Sequence, residues 1–198
     1  VTVAIEKLGG VIGGILGTIP TTIVPAAAFM WMAEPNPDAF DPAMGMVPVG
    51  MLLNAIFLWL WRVVPPRIPT WTFGKRLTVI TTINLSVWFA GAAISVTLFS
   101  EQASMTVGLA ALIIGILLGL WISLDHKPAP RGKNRVGALT LACRGIAAAT
   151  AIGLAVWLSQ LGCPLLAGMA SVFPAIFLTS MVALWIAQGE DVPSGAVG

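Results

Sequence analysis

The sequence predicts an all-α integral membrane protein with about six transmembrane helices, and three observations support this fold class. Hydrophobic residues make up 58% of the 198 residues and charged residues only 9%, whereas charged residues make up about a quarter of a typical soluble domain. Six apolar segments have the length of about 20 residues that a helix needs to cross a membrane. The connections between these segments carry Lys and Arg alternately, as expected of a multi-pass protein.

The expected spans cover residues 8–33, 46–64, 77–99, 105–124, 136–158 and 165–188. Pro48 marks the start of the second span, because proline is favoured in the first turn of a helix. The connections contain residues typical of turns and loops, as in EPNPDAFDP and DHKPAPRGKNR. We expect a single polytopic transmembrane domain over residues 1–198. Because the sequence starts at Val1 and ends in PSGAVG, we also consider it as a fragment of a longer chain.

The distribution of charge predicts the orientation of the spans. The basic residues at or beyond the span ends are Lys7, Arg62, Arg67, Lys75, Arg76, Lys127, Arg131, Lys133 and Arg135. They precede the first span or belong to the second and fourth connections, whereas the first, third and fifth connections contain no Lys or Arg. The acidic residues Glu34, Asp38, Asp41 and Glu101 fall on the opposite side. The positive-inside rule then predicts that both ends of the chain lie on the cytoplasmic side.

The first span combines apolar residues with glycine and proline, in GGVIGGILGTIPTTIVP at residues 9–25. Gly9, Gly13 and Gly17 share one helix face, which lets a neighbouring helix approach closely. Pro20 and Pro25 each remove a main-chain hydrogen bond, and carbonyls freed inside a membrane need another partner. Three interpretations remain open: a packing face, a broken helix whose exposed backbone lines a site, and a re-entrant hairpin. The hairpin would reverse the side of every later connection.

A weaker version of this motif occurs in the sixth span, in CPLLAGMASVFPAIF at residues 163–177. The alignment pairs Gly17 with Ser171 and Pro20 with Pro174. The two spans run in opposite directions across the membrane, so homologous motifs would be inverted repeats. Inverted repeats with interrupted helices at matching positions indicate the binding site of a secondary transporter. Chance similarity is the alternative, because glycine, alanine and proline are common in membrane helices.

Arg144 is the only charged residue well inside a predicted span. A charge at the membrane centre costs at least about 2.5 kcal/mol, so the guanidinium needs a partner. The candidate partners are freed backbone carbonyls, the side-chain oxygens of Asn54 and Asn84, and an anionic ligand. An Arg that binds carbonyls and holds the helices in register is the structural alternative. Because no Asp or Glu lies inside a predicted span, we favour an anion or a neutral polar solute over a metal cation.

These features predict a membrane transport protein, either a secondary transporter or a channel-like pathway, for a small anionic or polar solute. The expected solute site comprises Gly17, Thr18, Pro20, Thr21, Thr22, Asn54, Asn84, Arg144, Ser171 and Pro174. The alternative is a structural or accessory subunit of a larger membrane complex, whose glycine-rich faces dock a second copy or other membrane subunits. Membrane lipids and a small solute are the expected partners, and no nucleic acid is expected at a net charge of +2.

Neither enzymatic activity nor a cofactor is expected from this sequence. The motifs GxSxG, HExxH and the P-loop are missing. Cys143 and Cys163 lie in apolar segments where small residues typically pack between helices. The methionines of MWMAEPNPDAFDPAMGMVPVGM leave Cu(I) binding as an alternative to ordinary packing, because thioethers are soft ligands.

Overall fold

α-Helices form nearly all of the described chain, which covers residues 23–33, 35–68, 71–124 and 137–188 in this computed structural model. These residues are 90% helical and contain no strand. The helices are α1 (Ile23–Ala33), α2 (Pro37–Val63), α3 (Phe73–Leu98), α4 (Ser104–Leu124), α5 (Ala138–Gln160), α6 (Pro164–Ser171) and α7 (Ala175–Gln188). Short 3₁₀ turns at Pro65–Arg67 and Glu101–Ala103 precede α3 and α4.

Four helical segments are long and apolar enough to cross a membrane, and the protein is therefore a multi-pass membrane protein. They are Pro37–Arg67, Phe73–Leu98, Ser104–Ile122 and Pro164–Ala183. They correspond to the second, third, fourth and sixth predicted spans. The described part of the first predicted span is the shorter apolar helix Ile23–Ala33, and within α5 only the shorter stretch Gly145–Gln160 is identified as apolar helix, so the number of six spans stays a prediction.

The second span begins earlier than predicted, at Pro37 instead of residue 46. Asn36 caps this start, since its side-chain oxygen accepts a hydrogen bond of 3.0 Å from the main-chain N–H of Asp38. Pro42 and Pro48 lie inside the helix, where each removes one main-chain hydrogen bond. The prediction that Pro48 starts the helix was wrong, because the sequence Asn-Pro at 36–37 supplies both the cap and the first-turn proline. Most of the predicted first connection is therefore helical.

Helix α2 lies at the centre of the bundle and packs against α3, α4 and α6. Glycine allows two of these helix crossings to bring backbones together. A Cβ atom at Gly108 of α4 would lie 2.1 Å from the carbonyl oxygen of Gly45 in α2, and one at Gly168 of α6 would lie 2.0 Å from that of Ala43. Such close approach is typical of helix pairs in membranes, where packing replaces the hydrophobic effect as the driving force.

Large apolar side chains cover the outside of the bundle. Helix α4 exposes Met105, Leu109, Leu112, Ile113, Ile114, Ile116, Leu117, Leu120, Trp121 and Leu124. Its opposite side is formed by small residues that contact α2, including Gly108 and the buried Ala111. This surface is suited to contact with lipid chains, in agreement with a membrane-embedded protein.

Charged residues collect at opposite ends of the described bundle. At one end, Arg62 donates to the carbonyl of Ile122 over 3.5 Å, and Arg76 donates to the carbonyl of Pro65 over 3.0 Å. These contacts place the C-terminal ends of α2 and α4 beside the N-terminal end of α3. The opposite end contains a cleft of about 390 Å³ whose lining includes Asp38, Asp41 and Glu101. The helices thus separate the basic residues from the acidic ones, as the alternating connections predict.

The sixth span is interrupted, as its proline predicts. Helix α6 ends at Ser171 and α7 begins at Ala175. Seven of the eight residues of α6 are buried, because the helix lies between α2 and α5. Most of the first glycine and proline motif lies outside the described residues, and Pro25 lies inside α1. The inverted repeat therefore stays a prediction.

Candidate functional site at the break in the sixth span

The break in the sixth span comprises residues 172–174, and local hydrogen bonds tighten the chain on both sides of it. The main-chain N–H of Val172 donates to the carbonyl of Met169 over 3.2 Å, and that of Phe173 donates to Ala170 over 3.1 Å. These hydrogen bonds join residues three apart, as in a 3₁₀ turn, and they end α6. Pro174 has no N–H, and its own carbonyl accepts the hydrogen bond of 2.8 Å from Leu178 that begins α7.

The carbonyl of Val172 is bonded by a side chain from another span. The Nδ2 atom of Asn54 in α2 donates to this oxygen over 2.9 Å, and the asparagine side chain is buried. Asn54 lies two helical turns before Arg62, which is about 12 Å along the helix axis at about 1.5 Å per residue. The hydrogen bond therefore joins the break to α2 inside the bundle, away from the basic end.

Trp88 of α3 determines how the amide of Asn54 is oriented. Its Nε1 atom donates to Oδ1 of Asn54 over 2.9 Å. An indole N–H can only donate, so the amide oxygen faces Trp88 and the amide nitrogen faces Val172. Three spans thus meet in one chain of hydrogen bonds, from α3 through α2 to the break.

Aromatic and aliphatic contacts close the space around this chain of hydrogen bonds. The ring of Phe173 lies 5.2 Å from that of Trp88 at an interplanar angle of 87°. It also lies 5.7 Å from the ring of Phe89. Gly50 makes room for the break, since a Cβ atom there would lie 2.0 Å from a methyl carbon of Val172. The break is therefore held by contacts from both α2 and α3.

Ser171 and Pro174, both predicted site residues, lie at this break and are less than 2% exposed. The hydroxyl of Ser171 donates to the carbonyl of Gly168 over 2.7 Å. In an uninterrupted helix that carbonyl would accept the N–H of Val172, which here bonds Met169 instead. The serine hydroxyl thus takes over a bond that the end of α6 releases.

Asn84, another predicted site residue, lies one turn before Trp88 on the buried face of α3 and is fully buried. Its Nδ2 atom donates to the carbonyl of Ile80 in the same helix over 2.9 Å. Its Oδ1 atom is buried and has no hydrogen-bond partner among the described residues. Asn84 is therefore near the break along α3, but no hydrogen bond joins it to Val172.

The remaining predicted site residues are placed only in part. Arg144 belongs to α5, which packs against both α6 and α7, and its side chain lies outside the described residues. The predicted residues of the first span also lie outside the described part: Gly17, Thr18, Pro20, Thr21 and Thr22. Their place in one site with the break stays a prediction.

The residues of this site that were missed at the level of sequence include Trp88, Val172 and Phe173. Trp88 carries a recognisable signal, because it lies deep in a span whereas tryptophans in membrane proteins favour the interface. A buried indole N–H needs an acceptor, and an asparagine in the preceding span is a suitable one. Val172 and Phe173 act through a main-chain carbonyl and a ring contact, and no sequence pattern identifies them.

The outer methionines are divided between different environments. Met30 and Met46 are buried in two separate core clusters, and Met32 is 75% exposed. In the described part of the chain, no group of three His, Cys, Asp or Glu residues could hold a metal ion. Met44 packs against the cluster that contains Met30, and Cu(I) binding stays an untested alternative.

Comparisons with protein-family models, with curated proteins and with solved structures find no match to this chain.

Proposed function

We propose that this protein is a membrane transport protein, a secondary transporter or a channel-like pathway, for a small anionic or polar solute. The observation that carries the proposal is the interruption of a buried membrane span, where Asn54 of another span binds the carbonyl of Val172. Discontinuous helices with released backbone groups inside the bundle are the recurring binding element of secondary transporters. Irregular backbone at membrane depth also requires burial in protein or a water-filled cavity.

The charges inside the helices support an anionic or neutral solute. Within α1–α7 the only carboxylates are Asp38 and Asp41, in the first two turns of α2 at the acidic end. Cation and proton pathways typically use carboxylates deep in the membrane. Arg144 of α5 is the charge that the sequence places at that depth, on a helix that borders α6 and α7.

We further infer that the chain crosses the membrane six times, with both ends on the cytoplasmic side and with the first and sixth spans related as inverted repeats. The separation of Arg62 and Arg76 from Asp38, Asp41 and Glu101 supports the orientation. The break at residues 172–174 supports the repeat, because the matching segment of the first span carries proline at the same position.

Flux measurements on purified protein in liposomes test this function. Chloride, nitrate, phosphate and acetate serve as anionic probes, and glycerol serves as a neutral polar probe. We expect at least one of them to enter faster than into protein-free liposomes. Flux of none of these five probes above that of protein-free liposomes would refute the proposed solute class.

Two variants connect the flux to the break. Trp88→Phe releases Oδ1 of Asn54 but keeps an aromatic ring, and we expect it to lower the flux at least tenfold. Ser95→Ala is the matched control, because among the described residues the Ser95 hydroxyl bonds only the carbonyl of Gly91 in its own helix, over 2.8 Å. Gel filtration checks that both variants are folded. Equal flux in the two variants would show that transport does not depend on the hydrogen bond between Trp88 and Asn54.

A structural or accessory subunit is the second candidate, and the tight packing of the break favours it. Ser171 and Pro174 are each less than 2% exposed, and the ring of Phe173 packs against two aromatic rings. In this function, the break stiffens a helix bundle whose exposed apolar faces dock other membrane subunits or a second copy. The two candidates differ in whether water and solute reach the break.

A further inference from the structure

Two buried tryptophans place unpaired N–H groups inside the basic end of the bundle. Trp61 of α2 and Trp185 of α7 are both 0% exposed, and their ring centroids lie 5.8 Å apart. Neither Nε1 atom has a hydrogen-bond partner among the described residues. Buried N–H groups in proteins are nearly always bonded. Two unbonded donors on adjacent rings therefore indicate a common acceptor.

The surroundings of these two rings determine which acceptor fits. Arg76 of α3 donates to the carbonyl of Pro65, which lies one turn after Trp61. Phe73, one turn before Arg76, places its ring 6.2 Å from that of Trp185. The guanidinium of Arg76 therefore lies in the region of the two indoles. Indole and guanidinium groups are donors only, so a ligand between them has to accept hydrogen bonds.

The described charges of this region favour an anion over a neutral acceptor. The described basic residues Arg62, Arg67, Lys75 and Arg76 belong to the second connection or to the helix turns beside it. The described carboxylates, those of Asp38, Asp41 and Glu101, line the cleft at the other end of the bundle. The buried N–H donors therefore lie at the end of the bundle where the described charges attract anions.

We propose that Trp61 and Trp185 bind a small anion between their indole N–H groups, with Arg76 beside it as the compensating charge. The ligand class is a halide or a small oxyanion, and the phosphate of an anionic lipid headgroup has the same chemistry. Trp61 lies two turns from Asn54, about 10 Å along α2 at about 1.5 Å per residue, so this site is separate from the break. This inference deepens the proposed function. The role of the anion site in transport rests on that function, whereas the binding of the anion does not.

Binding is tested without transport, in detergent and without a gradient. The unfolding temperature is followed by circular dichroism during titration with sodium chloride or sodium phosphate, at an ionic strength held constant with sodium gluconate. A ligand that binds only the folded state raises this temperature in a saturable way. We expect saturable stabilisation of the wild type, from which an apparent dissociation constant follows.

Substitutions that remove one donor group at a time locate the site. Trp61→Phe and Trp185→Phe each remove an N–H donor but keep a ring, and we expect each to raise the apparent dissociation constant at least tenfold. Arg76→Gln should raise it as well, and this variant provides a second test of the site if a tryptophan variant does not fold. Trp157→Phe is the matched control, because Trp157 is 56% exposed on α5. We expect Trp157→Phe to bind as the wild type does.

Nanodiscs distinguish the two sources of the anion. If the ligand is a lipid phosphate, phosphatidylglycerol stabilises the wild type more than Trp61→Phe, while soluble anions have no effect in detergent. The inference is overturned if chloride, phosphate and phosphatidylglycerol all fail to stabilise the wild type in a saturable way. It is also overturned if Trp61→Phe, Trp185→Phe and Trp157→Phe bind equally. In that case each N–H points at the ring of its neighbour, an interaction that needs no ligand.

These experiments refute the anion site and the proposed function independently of each other. Saturable binding without flux of any probe would contradict the proposed function and retain the anion site. Flux without saturable binding would retain the function and contradict the site.

Discussion

Replacing Gly168 with alanine tests the crossing of α6 over α2, which positions the break. The added Cβ atom would lie 2.0 Å from the carbonyl oxygen of Ala43 and 2.9 Å from its carbon. Normal contact distances are about 3.5 Å, and a backbone carbonyl cannot retreat as a flexible side chain does. Helix α6 therefore has to move away from α2 by about 1 Å or more.

The expected loss in the free energy of unfolding follows from this displacement. Overpacking typically costs about 1–3 kcal/mol, and contact with rigid backbone belongs at the upper end of that range. The better helix propensity of alanine returns at most about 1 kcal/mol, so we expect Gly168→Ala to lose about 2 kcal/mol. For a chain of this size, about 2–4 °C per kcal/mol gives a fall of about 4–8 °C in the unfolding temperature.

Thermal unfolding in detergent, followed by circular dichroism, measures this change. Gly119→Ala is the matched control, because no heavy atom of the described residues lies within 4 Å of a Cβ at this position of α4. We expect the control to unfold at or slightly above the temperature of the wild type. If Gly168→Ala is as stable as Gly119→Ala, the backbones of α6 and α2 do not approach as closely as described.

Further predictions concern the polar residues and the second close crossing. Asn54→Leu leaves the N–H of Trp88 and the carbonyl of Val172 without partners, and we expect a loss of about 2–5 kcal/mol in unfolding measurements. Asn84→Leu should change stability by less than about 1 kcal/mol, because among the described residues Oδ1 has no partner and Nδ2 bonds only its own helix. A double-mutant cycle of Asn54→Leu with Trp88→Phe should give a coupling of about 0.5–3 kcal/mol, and additive effects would contradict their hydrogen bond. Gly108→Ala, with its Cβ 2.1 Å from the carbonyl oxygen of Gly45, should cost about 2 kcal/mol in the same assay.

The fold class follows from hydropathy and charge, because both act over whole segments. Twenty apolar residues in succession indicate a span wherever its exact ends lie, and the alternation of basic connections separates Arg62 and Arg76 from Asp38 and Asp41. The start of the second span was mispredicted because proline suits both the first turn of a helix and, with local compensation, the interior of a membrane helix. Only the cap formed by Asn36 distinguishes Pro37 from Pro48 as the start.

Part of the candidate site was also predictable from single residues. Pro174 indicates the break because it lacks an N–H, and Asn54 is a polar side chain in an apolar span that needs a partner. The hydrogen bond from Asn54 to the carbonyl of Val172 depends on how α2 and α6 cross, and this crossing is a tertiary contact between residues far apart in sequence. Glycine at position 50 and the carbonyl of Val172 acquire their roles only through that contact.

Water and solute access to the break tests the proposed transport function most directly. Both native cysteines are first removed by Cys143→Ser and Cys163→Ser. A single cysteine is then introduced, either by Ser171→Cys at the break or by Ala111→Cys in α4, a reference position whose residue is 6% exposed. Each variant in liposomes is treated with an anionic, water-soluble methanethiosulfonate, and labelling and flux are recorded together. We predict that the thiol of Ser171→Cys reacts and that its modification stops the flux, whereas Ala111→Cys stays unlabelled. A thiol at position 171 that stays as unreactive as the reference would mean that the break is dry packing and would contradict the transport function.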